Sequence, residues 1–158
     1  MNDWTYDNKL FDPSEEFLKD HVGFVYIITE SSTGMKYIGK KLFWSARILP
    51  ITKKRKRRKR TTVESDWRDY YSSNKTLQEN ALVCGPGEYT REILHLCKSK
   101  GEASYIEAME QFNRGVLLRD DYYNGIINCR INAKHLNRID NSILEKLMGN
   151  HYTKDNDE

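Results

Sequence analysis

Val22-Gly23-Phe24-Val25-Tyr26-Ile27-Ile28-Thr29, a polar break at Ser31-Ser32-Thr33-Gly34, and then Lys36-Tyr37-Ile38-Gly39-Lys40 make up the stretch from which the rest of the chain is read. Both flanks are rich in β-branched and aromatic residues, which suit a pleated, half-buried surface, and the break carries residues that tight turns favour. The pattern predicts a β-hairpin. On it Tyr26 and Tyr37 stand on different strands with ten residues between them, and Gly39 shares a strand face with Tyr37. Strand tyrosines ordinarily pack against neighbours, so two of them on a hairpin do not by themselves imply chemistry.

Outward from the hairpin, residues 42–51 are predicted to begin a helix, broken by Pro50 and the basic tract that follows. Ser72-Ser73-Asn74 offer caps for a helix over 75–84 that Gly85 would stop. Residues 88–97 read as a third strand, with Tyr89, Ile93 and Cys97 set against Leu94 and Leu96. Over 101–116, Tyr105, Met109, Phe112 and Val116 fall at helical spacing as an apolar stripe, with Ala103, Glu107, Glu110 and Arg114 on the other side. A turn and a short extended piece follow through Tyr122-Tyr123-Asn124-Gly125-Ile126-Ile127. Leu136, Ile139, Ile143, Leu144 and Leu147 then suggest one or two terminal helices, with Gly149 as a stop and a polar tail beyond. The expected class is α+β: a small, mostly antiparallel three-stranded sheet flanked by helices, with a basic loop insertion and a helical C-terminal extension. The expected division is an arm over 1–21, a central domain over 22–132 carrying the insertion 52–62, and the extension and tail over 133–158.

A chain of 158 residues, 38% hydrophobic and 31% charged, has the size and balance of one globular domain. No apolar run is long enough for a transmembrane helix, and the start lacks the basic and apolar segments of a secretory signal, so no membrane partner and a cytoplasmic location are expected. Cys84, Cys97 and Cys129 are widely spaced, as are His21, His95, His135 and His151, which gives no local support to a zinc cage or a Cys-His nucleophile pair. The net charge of +3 hides a strong asymmetry. Lys53-Lys54-Arg55-Lys56-Arg57-Arg58-Lys59-Arg60 runs without interruption, and setting those eight aside leaves 18 basic against 23 acidic residues, a net of −5. A positive segment on a mildly acidic body is what contact with a polyanion requires, although a solvated loop would read the same way.

With Tyr26, Tyr37-Ile38-Gly39, Arg47, Glu107 and Asn124 in this order and spacing, the chain resembles the GIY-YIG endonucleases. The second triplet of that family is intact; the first is Phe24-Val25-Tyr26, which keeps the tyrosine and has its glycine one position early, at Gly23. Arg47 stands eight residues past Gly39, Glu107 four past Ala103, and Tyr123-Asn124 completes the set. Asp69-Tyr70-Tyr71-Ser72-Ser73 and Tyr89-Thr90-Arg91-Glu92-Ile93-Leu94 look like connecting segments of phage-type and homing-endonuclease-like members, so the likeness spans residues 22–127.

The resemblance implies hydrolysis of phosphodiester bonds in double-stranded DNA, in a bacterial or phage-infected cytoplasm. Tyr26 is then the leading general base or water-positioning group, with Tyr37 beside it; Arg47 clamps the phosphate; Glu107 holds a single Mg²⁺ or Mn²⁺; and Asn124 bonds phosphate or braces the site. Lys40 would supply charge to the phenols, with Lys41 as the alternative because strand alternation puts it with Tyr37 and Gly39. Glu110 is the alternative to Glu107, although Arg114, four residues on, offers it an ordinary ion pair. Gly39 and the basic tract would contact DNA, and the terminal segments leave room for a homo-oligomer interface. Two readings from other classes compete: a nucleic-acid-binding protein without catalysis, and a structural protein in which the tyrosines only pack.

Overall fold

The computed structural model describes residues 3–137 and 139–149; the polar tail expected past Gly149 lies outside the described residues. In chain order the elements are β1 (Trp4–Tyr6), β2 (Lys9–Leu10), α1 (Glu15–Lys19), β3 (Gly23–Glu30), β4 (Lys36–Leu42), β5 (Trp44–Leu49), β6 (Lys59–Glu64), α2 (Lys75–Cys84), β7 (Tyr89–Cys97), α3 (Lys100–Asn113) and α4 (Asn141–Met148). Short 3-10 turns occupy Trp67–Asp69, Pro86–Glu88 and Ala133–Leu136.

The hairpin forms as β3 and β4, pairing Tyr26 with Gly39 and Ile28 with Tyr37, and β7 lies antiparallel on the other side of β3. The expected three-stranded, mostly antiparallel sheet is corrected here: the sheet has five strands in the order β2-β1-β7-β3-β4, with β1 parallel to β7. β1 has only three residues and therefore leaves no periodic signal; what holds it is tertiary. Trp4 is buried, edge-on to Phe24 and Tyr26 at 4.9 and 5.2 Å between ring centroids, and its indole N–H donates to the Trp67 carbonyl at 2.8 Å. Each aromatic contact of this kind contributes about 0.5–1.5 kcal/mol beyond the area it buries.

Residues 42–51 are not the start of a helix. Trp44–Leu49 is a strand, paired in register with Lys59–Glu64 from Trp44 opposite Glu64 to Leu49 opposite Lys59. The Thr61-Thr62-Val63 run supplies β-favouring residues opposite, and no capping residue precedes a helix at Leu42, so the extended form wins. The basic insertion is accordingly the end turn and part of the second strand of a two-stranded ribbon, not a loop.

The helix over 75–84 begins and ends where its caps lie: Asn74 Oδ1 accepts from Leu77 N at 3.0 Å, and Gly85 turns the chain out at φ 85°. In α3 the expected apolar stripe is also corrected. Ala103, Ile106 and Ala108 are buried together with Glu102, Glu110 and Gln111, whereas Phe112 is 69% exposed. Small residues let α3 approach the sheet closely, and its buried polar groups find partners there, so helical spacing of large apolar residues misidentified the inward face.

The sheet separates two clusters. One face carries Phe24, Tyr26, Ile28 and Ile93, packed with Trp4, Phe43, Trp67 and Leu77. The other carries Val25, Ile27, Ile38 and Cys97, packed against Ala103, Ile106 and Val116. β4 ends the sheet order.

Candidate active site

On β4, alternation divides the second triplet between the two faces. Tyr37 and Gly39 lie with Tyr26, while Ile38 and Lys40 face α3. Gly39 is required by its surroundings: a methyl group in place of its hydrogen would sit 2.5 Å from Tyr26 Oη and 2.8 Å from Tyr37 Cε1. The Tyr26 hydroxyl thus rests over a bare stretch of backbone beside the Tyr37 ring, with centroids 6.3 Å apart. Tyr70, on the segment after Trp67–Asp69, closes this group edge-on to Tyr26 at 6.1 Å.

The two phenols differ in exposure. Tyr26 is 1% exposed, and burial pushes its pKa well above the ordinary phenol value, helped by Tyr70, Tyr37 and the charge of Glu107. Tyr37 is only partly buried and shares a 3.0 Å hydrogen bond with Ser73 Oγ. Burial also raises the Tyr70 pKa, against opposing hydrogen bonds with Tyr26 and Ser73.

Both candidate lysines are engaged, on different faces. Lys40 forms an ion pair with Glu107 on the α3 side. Lys41 sits on the tyrosine side, with Nζ 3.7 Å from the Tyr70 ring centroid and 2.6 Å from Asp66 Oδ1. The two candidate glutamates separate as clearly. Glu110 is 6% exposed and committed, accepting at 2.7 Å from Arg114 Nε and meeting His95 Nε2 at 2.7 Å. Burial would raise the Glu110 pKa, but those two partners outweigh it and hold the carboxyl below its ordinary range. Glu107 is only partly buried, and among the described residues its one ion pair is with Lys40.

Asn124 braces the outer edge of β4. Its Oδ1 accepts from Ile38 N at 3.0 Å and its Nδ2 donates to Ile38 O at 2.8 Å, while Gln111 Nε2 also donates to that carbonyl at 3.1 Å. Glu30, buried at the hairpin turn, accepts from Thr33, Tyr123 and Tyr89 at 2.6, 2.8 and 3.2 Å, and so fixes the residue just before Asn124. Gln111, Ser73, Tyr70 and Glu30 were not singled out for site roles from the sequence. Tyr70 and Ser73 lie within a segment that carries the family likeness, but nothing in the local pattern marks Gln111 and Glu30.

Arg47 is not brought to this group. It is exposed midway along β5, and its side chain makes no hydrogen bond or ion pair among the described residues. The tract Lys53 to Arg58 forms the ribbon's end turn, and Lys59 and Arg60 begin β6. Among the described residues no cluster of three or more His, Cys, Asp or Glu side chains is arranged to hold a metal. Glu107, a partly exposed carboxylate paired with Lys40, is the residue here whose chemistry could serve a Mg²⁺ completed by water and a substrate phosphate. No helix of the described residues is long and apolar enough to cross a membrane.

A family model described as "Putative endonuclease segE, GIY-YIG domain" matches residues 4–127, which takes in β1 and ends just past Asn124. No curated protein and no solved structure matches the chain.

Proposed function

Because the chain belongs to the GIY-YIG family of endonuclease domains, we propose that it is a divalent-metal-dependent endonuclease that hydrolyses phosphodiester bonds in double-stranded DNA. The observation that carries this reading is the contrast between two glutamates on one helix: Glu110 is committed to His95 and Arg114, while among the described residues Glu107 is ion-paired with Lys40 alone, next to the Tyr26–Gly39 pair on β4. A phosphate approaching the edge of β4 meets the phenols on one side and Glu107 on the other.

Glu107 would hold Mg²⁺ or Mn²⁺, and the ion when bound supplies charge stabilisation to the phosphate. Lys40, released from Glu107, carries its positive charge to the same phosphate. Tyr37, the more accessible phenol, orients the attacking water, and Tyr26 acts as a hydrogen-bond donor behind it. Support for this division is the upward push on Tyr26, which keeps its proton in place near neutral pH; a base needs the opposite shift. Asn124 keeps the strand edge straight rather than binding phosphate. Arg47 grips phosphate from the ribbon, alongside Lys53 to Arg60, which supply affinity without reading sequence. The site of action follows the substrate, in the cytoplasm of a bacterium or a phage-infected cell.

Supercoiled plasmid nicking with Mg²⁺ and with chelator tests the reading, alongside Glu107→Ala. Metal-dependent nicking is expected, reduced by roughly 10²-fold or more in the variant. Arg47, standing apart from the phenols, favours one other reading, a DNA-binding protein that has lost catalysis. Duplex binding with no metal-dependent nicking would establish that reading instead.

A further inference from the structure

Among the described residues the β5–β6 ribbon pairs with nothing but itself. It leaves the body at Phe43, which is fully buried, where Ser65 N donates to the Phe43 carbonyl at 2.8 Å and Ser65 Oγ to the Leu42 carbonyl at 2.6 Å. Trp44 anchors its base by donating from Nε1 toward the carbonyls of Leu18 and His21 at 3.1 and 3.2 Å. Beyond that base most of both strands is exposed on both faces, Ile48 at 61%. Such a ribbon gains little from its own burial and gives the protein no core. It is built to meet something else.

Charge says what. All eight consecutive basic residues lie at the far end, and among the described residues none forms an ion pair. Glu64, the acidic residue of the ribbon, sits at its base, bonded by Trp67 Nε1 and Arg68. Shape narrows the choice further. Two strands lie about 4.8 Å apart and six residues extend about 20 Å, dimensions that a B-form major groove about 12 Å wide admits. Midway along, Ser45 stands opposite Val63, Ala46 opposite Thr62, and Arg47 opposite Thr61. Hydroxyls, methyls and a guanidinium are groups that can meet base edges.

We infer that the ribbon enters the major groove of duplex DNA, with the basic tip gripping the phosphates that flank the groove and the face that carries Ser45, Arg47 and Thr61 turned to the base edges. This inference rests on the proposal that the substrate is duplex DNA, and it names the element that holds it. The ribbon's base adjoins the cleavage residues, since Asp66, two residues beyond β6, pairs with Lys41 over the Tyr70 ring. A ribbon seated in the groove thus sets the distance from the bases it touches to the cut.

The test is binding of the full chain to a duplex oligonucleotide in chelator, which removes cleavage from the readout. Methyl green, which occupies the major groove, is expected to displace the protein, and netropsin, which occupies the minor groove, is not. Binding that survives saturating methyl green overturns the inference, as does an A-form RNA duplex bound as tightly as the DNA, because its major groove is too deep and narrow to admit the ribbon. Replacing residues 53–58 with Asn-Gly should lower affinity about tenfold or more and reduce the salt slope by roughly 0.9 for each phosphate no longer neutralised. Unchanged affinity in that variant also overturns it. The wild-type competition needs no altered chain, so a misfolded variant would not hide the answer. Plasmid nicking, measured separately, shows whether the nuclease reading stands or falls independently.

Discussion

At the scale of single residues, the site depends on one missing side chain. Gly39→Ala would force its methyl into Tyr26 Oη and the Tyr37 ring, and both rings are themselves packed. A loss of about 1–3 kcal/mol is expected from such overpacking, read by urea denaturation, together with weaker nicking as the phenols shift. A variant as stable and active as the parent would show that the crowding is readily relieved. Glu107 and Glu110 should separate cleanly by the same two readouts. Glu110→Ala leaves His95 and Arg114 without their shared carboxylate, and should cost about 1–3 kcal/mol while sparing nicking below the melting transition. Glu107→Ala should do the reverse, since its carboxylate is partly exposed and breaking one ion pair costs little stability. Phe24 shows how a departure from the family pattern is absorbed. Where the first triplet would carry glycine, its ring fills a space bounded by Trp4, Phe43 and Trp67.

At the scale of elements, β4 is an edge strand whose exposed groups invite unwanted pairing, and here side chains cover it. Asn124 satisfies both the N–H and the carbonyl of Ile38, and the carbonyl has Gln111 as a second donor. Asn124→Ala leaves the buried Ile38 N–H without that acceptor, so a destabilisation of about 1–3 kcal/mol is expected, with faster amide exchange centred on Ile38. Exchange unchanged at Ile38 would mean that the strand does not depend on this brace. Asn74 has a related position. It caps α2 and also donates from Nδ2 to the Tyr123 carbonyl at 3.2 Å, tying that helix to the residue before Asn124. The cap alone is worth about 1 kcal/mol. Position within the element, not residue type alone, makes these two asparagines structural.

At the scale of the whole molecule, acid should unfold the protein along a route set by a few carboxylates. Glu110 is held low by His95 and Arg114 against the effect of its burial, Glu30 by its bond from Thr33 and then those from Tyr123 and Tyr89, and Asp66 by Lys41. A carboxyl whose folded pKa lies below its unfolded value contributes stability that is complete above the unfolded value and is lost as pH falls through the folded one. Glu102 opposes them, since burial raises its pKa and its contribution is lost as pH rises. Those lowered groups, joined by Asp121 beside Arg119 and Lys36 and by Asp140 at the α4 cap, outnumber it, so the melting temperature should hold from neutrality to about pH 5 and fall below that. Glu110→Gln should flatten the acid limb; a melting temperature that climbs on acidification would contradict the assignment. The sequence by itself determined the hairpin, the capped helix over 75–84, the strand at 88–97 and the family, because each is written in local signals: β-branched alternation, a side-chain cap, a glycine stop, a fixed spacing of unusual residues. It also singled out Glu107 ahead of Glu110, from spacing and from the Arg114 pair. Only the tertiary structure decided the rest. β1 joins the sheet through Trp4, buried against residues twenty or more positions away. Residues 44–49 become strand because 59–64 pair with them, and α3 turns its polar residues inward because His95 and the Ile38 carbonyl lie there to receive them. These outcomes depend on partners distant along the chain, which no local window contains, and it is the same long-range pairing that turned Arg47 away from the phenols.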